Sequence, residues 1–516
     1  MAAVSNDNRV KGVGDPTAQY LSLKPIWDKN RAVCSGEQYV KSYDGMLRRD
    51  YSNLLIPFSP SMTQPQYDFY RAEAELPGIV SQYVNMIVGG LLRKKPILDL
   101  PDSVPDGAKD WLLNEFGKDK SAMTAFLEDA LSEEVQTNST WVYLSYPNVK
   151  HADRLDKKER EKFRPTPSLL RAETVVNTRT GENAYGDIVL KHLIVRGFTY
   201  EYKEDEFHPT PVETVWIHRL DAQGLYEILV YKLDGQSSQT VVSGETHHSP
   251  ESSAPVFLLK DTYIDIKMNG ERLKFIPAWP LDGNLDPSDP AISPLVDKEI
   301  SLYNKVSRRN HLLYGAATYT PVISSDMSEE KFEDVVSSGL GSWLQLRQGD
   351  TATILDTPTD ALADMDRAIS NGIEEMAKLG IRMLTPETNQ SGVALEIRNA
   401  AQTAQLGTLN TRVSNTIRAI IAVMLEWRYG EAVSVNDIEF TLSADFNPVP
   451  IGADWLRLAT EWYQQGLIPR NVWLMLLKQN DMVPADYDDE EGIQEINDDE
   501  LIMPDSSDPK DDFEDK

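Results

Sequence analysis

Two kinds of spacing divide the chain. Apolar residues recur every three to four positions near both ends and through a long late block, and they alternate in short runs through the middle. After fifteen polar residues that read as loose, Tyr20, Leu21, Leu23 and Trp27 predict a helix over 16–33. Residues 51–65 carry three prolines and read as loop. A helix signal begins near Asp68; Ile79, Tyr83, Met86, Ile87 and Leu91 share one face, Pro77 breaks or kinks it, and Lys94, Lys95 and Pro96 end it. Helices follow over 110–115 and 121–137, the second with Met123, Phe126, Leu127, Ala130, Leu131 and Val135 at helical spacing. Residues 140–147 then switch to aromatic and β-branched strand character.

Strands are predicted over 169–176, 188–198, 214–220, 226–232, 256–259 and 275–278, with turn residues between them. Pro209 and Pro211 argue against a central strand at that point. Helical spacing returns at Ser293-Pro294 with Leu295, Leu302, Val306 and Leu313. A small insert follows, read as strand (320–323), helix (329–337, capped by Ser328 and ended by Gly339) and strand (343–346). A second helix spans 359–384, a polar loop 385–392, and a third helix 393–429. That third helix places Leu406, Leu409, Val413, Ile417, Ile420, Met424 and Trp427 on one stripe. Its opposite face is Gln402, Gln405, Thr408, Thr411 and Asn415, polar and nearly uncharged, which suits burial against protein. A strand over 437–442 and helices over 455–465 (capped by Asp454) and 472–479 complete the ordered pattern. The fold class is α+β.

Composition narrows the chemistry. A length of 516 residues predicts about two to four domains. No apolar run spans a membrane and no apolar leader opens the chain, so neither a membrane partner nor a signal peptide is expected. Cys34 is the single cysteine, which fits a reducing compartment. Net charge is −30, and residues 481–516 alone hold sixteen acidic against two basic residues, a tail that reads as disordered beyond about Asp498. Such a balance disfavours a protein that grips DNA more than one that lets DNA slide past.

Signatures of catalysis are missing: no P-loop, no nucleophile elbow, and glycine pairs at 12/14 and 339/341 without a dinucleotide fingerprint. His247-His248 sits in a Ser-rich loop without metal spacing, and Asp282, Asn284 and Asp286 read as a turn because Pro287 and Ser293 stand where a calcium loop needs Gly and Glu. No cofactor, metal or catalytic residue is therefore expected.

The late block carries cations: Lys298, Lys305, Arg308 and Arg309 on its first helix, and Arg367, Lys378 and Arg382 on its second. Asp297, Glu299, Asp364, Asp366, Glu374 and Glu375 are interleaved. They read either as a solvated, salt-bridged face or as a mixed-charge lining that meets phosphates or neighbouring subunits. Thr385, Glu387, Thr388, Asn389, Gln390 and Ser391 form the polar loop, either a plain connection or an element projecting into a lumen. The insert has too few apolar residues for its own core, chiefly Val322, Phe332, Val335, Val336, Trp343 and Leu346, so it is expected to pair with copies from neighbours.

The order of these parts resembles the portal proteins of tailed bacteriophages, in the group once catalogued as a domain of unknown function. The resemblance runs over about 71–487. It rests on RAEAELPGIVSQYVNMIVGGLLRKKPILDLP (71–101), residues 126–147, RPTPSLLRAETVVNTR (164–179), FIPAWPLDG (275–283) and SPLVDKEISLYNKVSRRNHLLYGAATYTPVI (293–323). It departs from the family at Asn138-Ser139, where a Gly–basic pair is expected. The resemblance implies a ring, usually of twelve subunits, at one capsid vertex of the virion, made in the host bacterial cytoplasm. It implies a mixed α/β wing (1–290), stem helices (291–317 and 359–384), a β-α-β clip (318–358) and a tunnel loop (385–392). A long wing helix with return strand (393–449), a helical crown (450–485) and the acidic tail (486–516) complete the parts. Implied partners are other copies of the chain, the major capsid protein, the terminase large subunit, head-tail adaptor and tail proteins, and double-stranded DNA bound without sequence preference. An adaptor, a scaffold or a soluble enzyme of another class are the alternatives.

Overall fold

The computed structural model describes residues 9–42, 63–147, 163–183, 185–202, 207–233, 256–264, 266–317, 320–324, 328, 349, 351–355, 360–379, 392–443, 453–465 and 468–479. The chain divides into two compact units, 1–444 and 445–516. The fold is α+β.

In the first unit, α1 (Ala18–Cys34) begins at Thr17, whose hydroxyl accepts from the Tyr20 N–H at 3.1 Å. Its Tyr20, Leu23 and Trp27 pack on Ala172 and Val176. α2 (Glu37–Ser42) is short. The helix signal near Asp68 resolves into α3 (Gln64–Glu73) and α4 (Ile79–Leu91), separated by extended backbone around Pro77. α5 (Ala108–Asn114) and α6 (Met123–Thr137) follow.

The large antiparallel sheet contains β1 (Arg9–Lys11), β5 (Val175–Glu182), β6 (Ile188–Tyr202), β7 (Pro209–Leu220), β8 (Tyr226–Leu233) and β9 (Val256–Tyr263), in the order β1-β9-β8-β7-β6-β5. Two expectations change here. Residues 9–11 lie in the stretch read as loose, yet they form an edge strand on β9. Arg9-Val10-Lys11 is too short to show an apolar pattern and forms a strand because a free sheet edge supplies its hydrogen bonds.

Pro209 and Pro211 lie within β7, which is flanked by two strands in the sheet order. They are tolerated because β8 pairs with β7 only from Thr214 onward. The two prolines have the same parity, so both missing donors face one flank.

A smaller sheet joins β3 (Trp141–Ser145) to β4 (Thr166–Leu170) and β12 (Ala278–Pro280). The single strand expected over 169–176 is divided between the two sheets, β4 in one and β5 in the other, by a 3-10 turn at Ala172–Thr174. The strand expected over 275–278 begins at Ala278 instead, because the Ala278 N–H bonds back to the Ile276 carbonyl at 2.8 Å. β10 (Lys267–Met268) and β11 (Glu271–Arg272) form a hairpin, and β2 (Ile97–Asp99) pairs with β15 (Glu439–Thr441).

The late helices are α7 (Ser293–Ala317), α8 (Asp360–Lys378) and α9 (Gly392–Tyr429). α9 has 38 residues, about 57 Å of helix at 1.5 Å per residue. From Leu406 to Trp427 its stripe is buried except for the half-buried Leu409, while Thr408, Thr411 and Asn415 are exposed. Asn410 donates to the Leu442 and Ser443 carbonyls, and the Trp427 indole donates to the Lys267 carbonyl at 2.8 Å.

Between α7 and α8, β13 (Thr320–Ser324) pairs antiparallel with β14 (Thr351–Leu355). β14 is not expected from the sequence; it follows Gly349, whose φ of +106° marks a turn. The helix expected at 329–337, the strand expected at 343–346 and the loop 385–391 lie outside the described residues.

In the second unit, α10 (Ala453–Gln464) and α11 (Arg470–Gln479) are joined by stacking of Tyr463 on Trp473, with ring centroids 4.9 Å apart. α10 starts at Ala453, so Asp454 stands inside the first turn rather than at the cap position assigned to it.

Candidate functional site: an ion-paired helix pair and its buried anchors

α7 and α8 run antiparallel. Lys298 meets Glu375 at 2.6 Å and Arg309 meets Asp366 at 2.9 Å, so position advances along one helix as it recedes along the other. Gly372 lets them approach: a β-carbon there would stand 3.3 Å from Leu302 Cδ1 and 3.8 Å from Lys305 Nζ. Met376, one turn on, is buried.

The first half of α7 is held by the helical core, with Tyr303 packed among Ala32, Tyr67, Tyr70 and Leu76. Lys29 reaches Asp297 at 2.5 Å. Farther along α7, Tyr70 meets His311 and Phe69 meets Tyr314, with ring centroids 5.2 and 5.4 Å apart. Leu313 and Tyr314 toward the outer end, and Ile373 and Leu379 beside the anchored half, are about half exposed.

The predicted cations therefore separate. Lys298 and Arg309 hold the two helices together, and Arg367 pairs within its own helix with Asp364 at 2.9 Å. All three pairs are largely exposed, so each contributes under about 1 kcal/mol. Lys305 lies across Gly372, and Arg308 is exposed and close enough to oppose the burial that raises the Tyr70 phenol to about 12. The Lys378 side chain, Arg382, and loop residues Thr385, Glu387, Thr388, Asn389, Gln390 and Ser391 lie outside the described residues. So do Phe332, Val335, Trp343, Leu346 and His247-His248. Val322 stands on β13 opposite Thr353 of β14.

Glu299 belongs neither to a solvated face nor to a mixed-charge lining, the two settings expected for the acidic residues of these helices. It is fully buried, and its carboxylate accepts from the Ile79 N–H at 2.8 Å and the Val80 N–H at 2.7 Å. It thus caps α4 from α7. Burial raises its pKa, and the amide bonds of Val80, Ile79 and Gly78 oppose that rise. The sequence signal for a remote cap is Gly78 itself, which stands just before α4 and brings no side chain to its free N–H groups; in the fold its φ is +72°.

A second buried carboxylate sits at the end of α6. Glu134 Oε2 accepts from the Thr140 N–H at 3.0 Å, while Glu134 Oε1 and Asp282 Oδ2 have no hydrogen-bond donor. Burial first, and the Asp282 charge second, push Glu134 up to about 8. Arg412 stands 3.8 Å from Asp282. Asp282 Oδ1 accepts from the Asn284 N–H and Asn284 Oδ1 from the Asp286 N–H, which makes 282–286 a turn. Among the described residues no group of three or more His, Cys, Asp or Glu is arranged to hold a metal ion, and no helix is long and apolar enough to cross a membrane.

Residues 292–428, the helix pair with its insert and α9, match the family described as "Domain of unknown function (DUF4055)". Among curated proteins nothing matches the chain. Among solved structures, a chain of the virion of a native gene transfer agent particle is similar at 12% identity and a TM-score of 0.37, covering 77% of this chain and 89% of that one. A chain from the neck of an empty gene transfer agent particle, computed with C6 symmetry, is similar at 11% identity and a TM-score of 0.38, with the same coverage.

Proposed function

We propose that this chain is a structural subunit at the head-to-tail junction of a tailed phage or phage-like particle, and specifically its portal. Copies form a ring, about twelve in number, at one capsid vertex, and double-stranded DNA passes through the centre during packaging and ejection. The observation that carries the reading is the antiparallel pair of α7 and α8. α7 is anchored in the helical core, Leu313, Tyr314, Ile373 and Leu379 of the pair stay half exposed, and the chain between the two helices carries the paired strands β13 and β14. A small ribbon at the tip of a helical stalk is poorly stabilised alone. Repeating one heterologous contact around an axis would cover it and close a ring.

Half-exposed Leu313, Tyr314, Ile373 and Leu379 supply apolar surface for such packing. The tip is then the docking surface for a terminase large subunit and later for adaptor proteins, while the major capsid protein surrounds the β-rich part. Net charge of −30 suits passage of DNA, because tight phosphate contacts would hold it.

Electron microscopy of the purified full-length protein tests the reading. Rings with a central hole are expected, and a particle that stays monomeric at every concentration refutes it. Deleting residues 385–392 is expected to spare the ring and impair DNA filling of particles; normal filling by that variant would remove the loop from the channel.

A further inference from the structure

The large sheet extends into an arm. β6 and β7 pair from His192 opposite Arg219 to Tyr202 opposite Pro209. β5 accompanies β6 only as far as Val195, and β8 accompanies β7 only as far as Thr214. Among the described residues, 198–202 and 209–213 therefore pair only with each other. They form a two-stranded ribbon about 17 Å long at 3.4 Å per residue.

The two faces of the ribbon differ. On one, Thr199 and Thr214 bring their hydroxyls within 2.9 Å, and Glu201 pairs with Lys232 of β8, which fixes the arm to the sheet. The other carries Phe198, Tyr200 and Tyr202 opposite Glu213, Pro211 and Pro209. Those three aromatics are 61–64% exposed, and Phe207, just before β7, is 84% exposed. This face continues a buried one: Ile194, Val215 and Ile217 have the same parity, and there Val13 packs on Val215 and Phe257. Past Val215 the cover stops, and the apolar series runs on into solvent.

Four aromatic side chains at this exposure present on the order of 500 Å² of surface, the size at which an exposed apolar patch marks a contact. Recruitment by strand addition is blunted on the β7 edge, where Pro209 and Pro211 lack donors. The face is what the arm offers. Its one charged pair, Arg196 with Glu213, is at the base and neutralises itself. A chain of net charge −30 repels its own copies over most of its surface, so copies meet best where charge is absent.

We propose that the aromatic face of this arm packs on a second copy of this chain and fastens neighbouring subunits through the β-rich part, apart from the helix pair. At about 500 Å² a side the contact buries about 1,000 Å², the lower bound for a specific interface, so it reinforces a contact made elsewhere. The assignment rests on the ring reading above.

The test uses the full-length protein in two forms. One carries the photo-reactive residue p-benzoylphenylalanine in place of Tyr200; the other is F198S/Y200S/Y202S, checked by circular dichroism and followed by sedimentation velocity across a dilution series. Copy-to-copy cross-links from position 200 in assembled protein are expected. The triple variant, with an unchanged spectrum, is expected to dissociate at a concentration at least about tenfold higher than the unsubstituted chain. Rings that form without any copy-to-copy cross-link from position 200 overturn the arm contact and leave the ring reading standing. A triple variant with an unchanged spectrum and an unchanged dissociation point also overturns it. Should the triple variant misfold, the cross-link alone decides. Unsubstituted protein that stays monomeric throughout overturns both readings.

Discussion

Replacing Glu134 with Gln should change how the stability of this protein depends on pH. Glu134 is buried at the end of α6 with one carboxylate oxygen bonded to the Thr140 amide and the other without a donor, and the Asp282 carboxylate, held near Arg412, is close enough to raise it. In the fold the proton is retained up to about pH 8; in the unfolded chain it leaves near 4.5. Below 4.5 both states carry the proton and the site contributes no pH dependence. Between 4.5 and 8 the unfolded state releases a proton that the folded state keeps, so stability falls as pH rises, and above 8 the loss is complete. At about 1.4 kcal/mol per pH unit, the fall across that window is on the order of 5 kcal/mol.

Gln has the shape of the neutral acid and does not titrate. Denaturation by urea, compared between Glu134→Gln and the unsubstituted chain at intervals from pH 4 to pH 9, isolates the site, because every other titrating group is common to both. The two should be similar near pH 4.5, and the variant should gain steadily on the parent up to pH 8. A difference that stays constant across that window would mean that Glu134 is ionised in the fold, and would refute the reasoning.

Glu299→Ala should lower stability by about 2–4 kcal/mol, because it leaves the Ile79 and Val80 amides buried without an acceptor; urea midpoints check this, and a shift under about 0.5 kcal/mol counts against the cap. Gly14→Ala should cost about 1–3 kcal/mol, since the backbone there has φ +81° and a β-carbon would meet Val215 Cγ2 at 2.9 Å; a variant melting like the parent would show that the N-terminal segment moves aside freely. Cys34 should react with a chromogenic disulfide reagent about a thousandfold more slowly than in the unfolded chain, because burial, with the Glu299 charge behind it, pushes its thiol up to about 12. Lys298→Ala and Arg309→Ala should each change stability by under about 1 kcal/mol, and a larger loss would place those pairs in a drier setting than their exposure indicates.

Local period along the chain was enough to locate α1, α4, α6, α7 and α9, because a helix satisfies its own backbone and needs only one apolar stripe. Val413, Ile417, Ile420 and Met424 are buried in the way their spacing predicts. Turn residues likewise marked β6 and β8, whose ladders lie between nearby hairpin partners.

What the period cannot carry is the identity of a distant partner. Residues 9–11 form a strand only because β9, far along the chain, leaves an edge open; Pro209 and Pro211 fit β7 only because β8 stops at Thr214. Glu299 shares its sequence setting with Asp297, yet one carboxylate caps a helix 220 residues away and the other lies at the surface. The same limit applies to the cations of the helix pair. Interleaved signs are visible in the sequence, but whether Lys298 and Arg309 meet carboxylates of the chain itself depends on the relative register of two helices, which Gly372 and Leu302 set by contact. Charge and apolarity are properties of residues; burial and pairing are properties of the distances between them, and those exist only once the chain has folded.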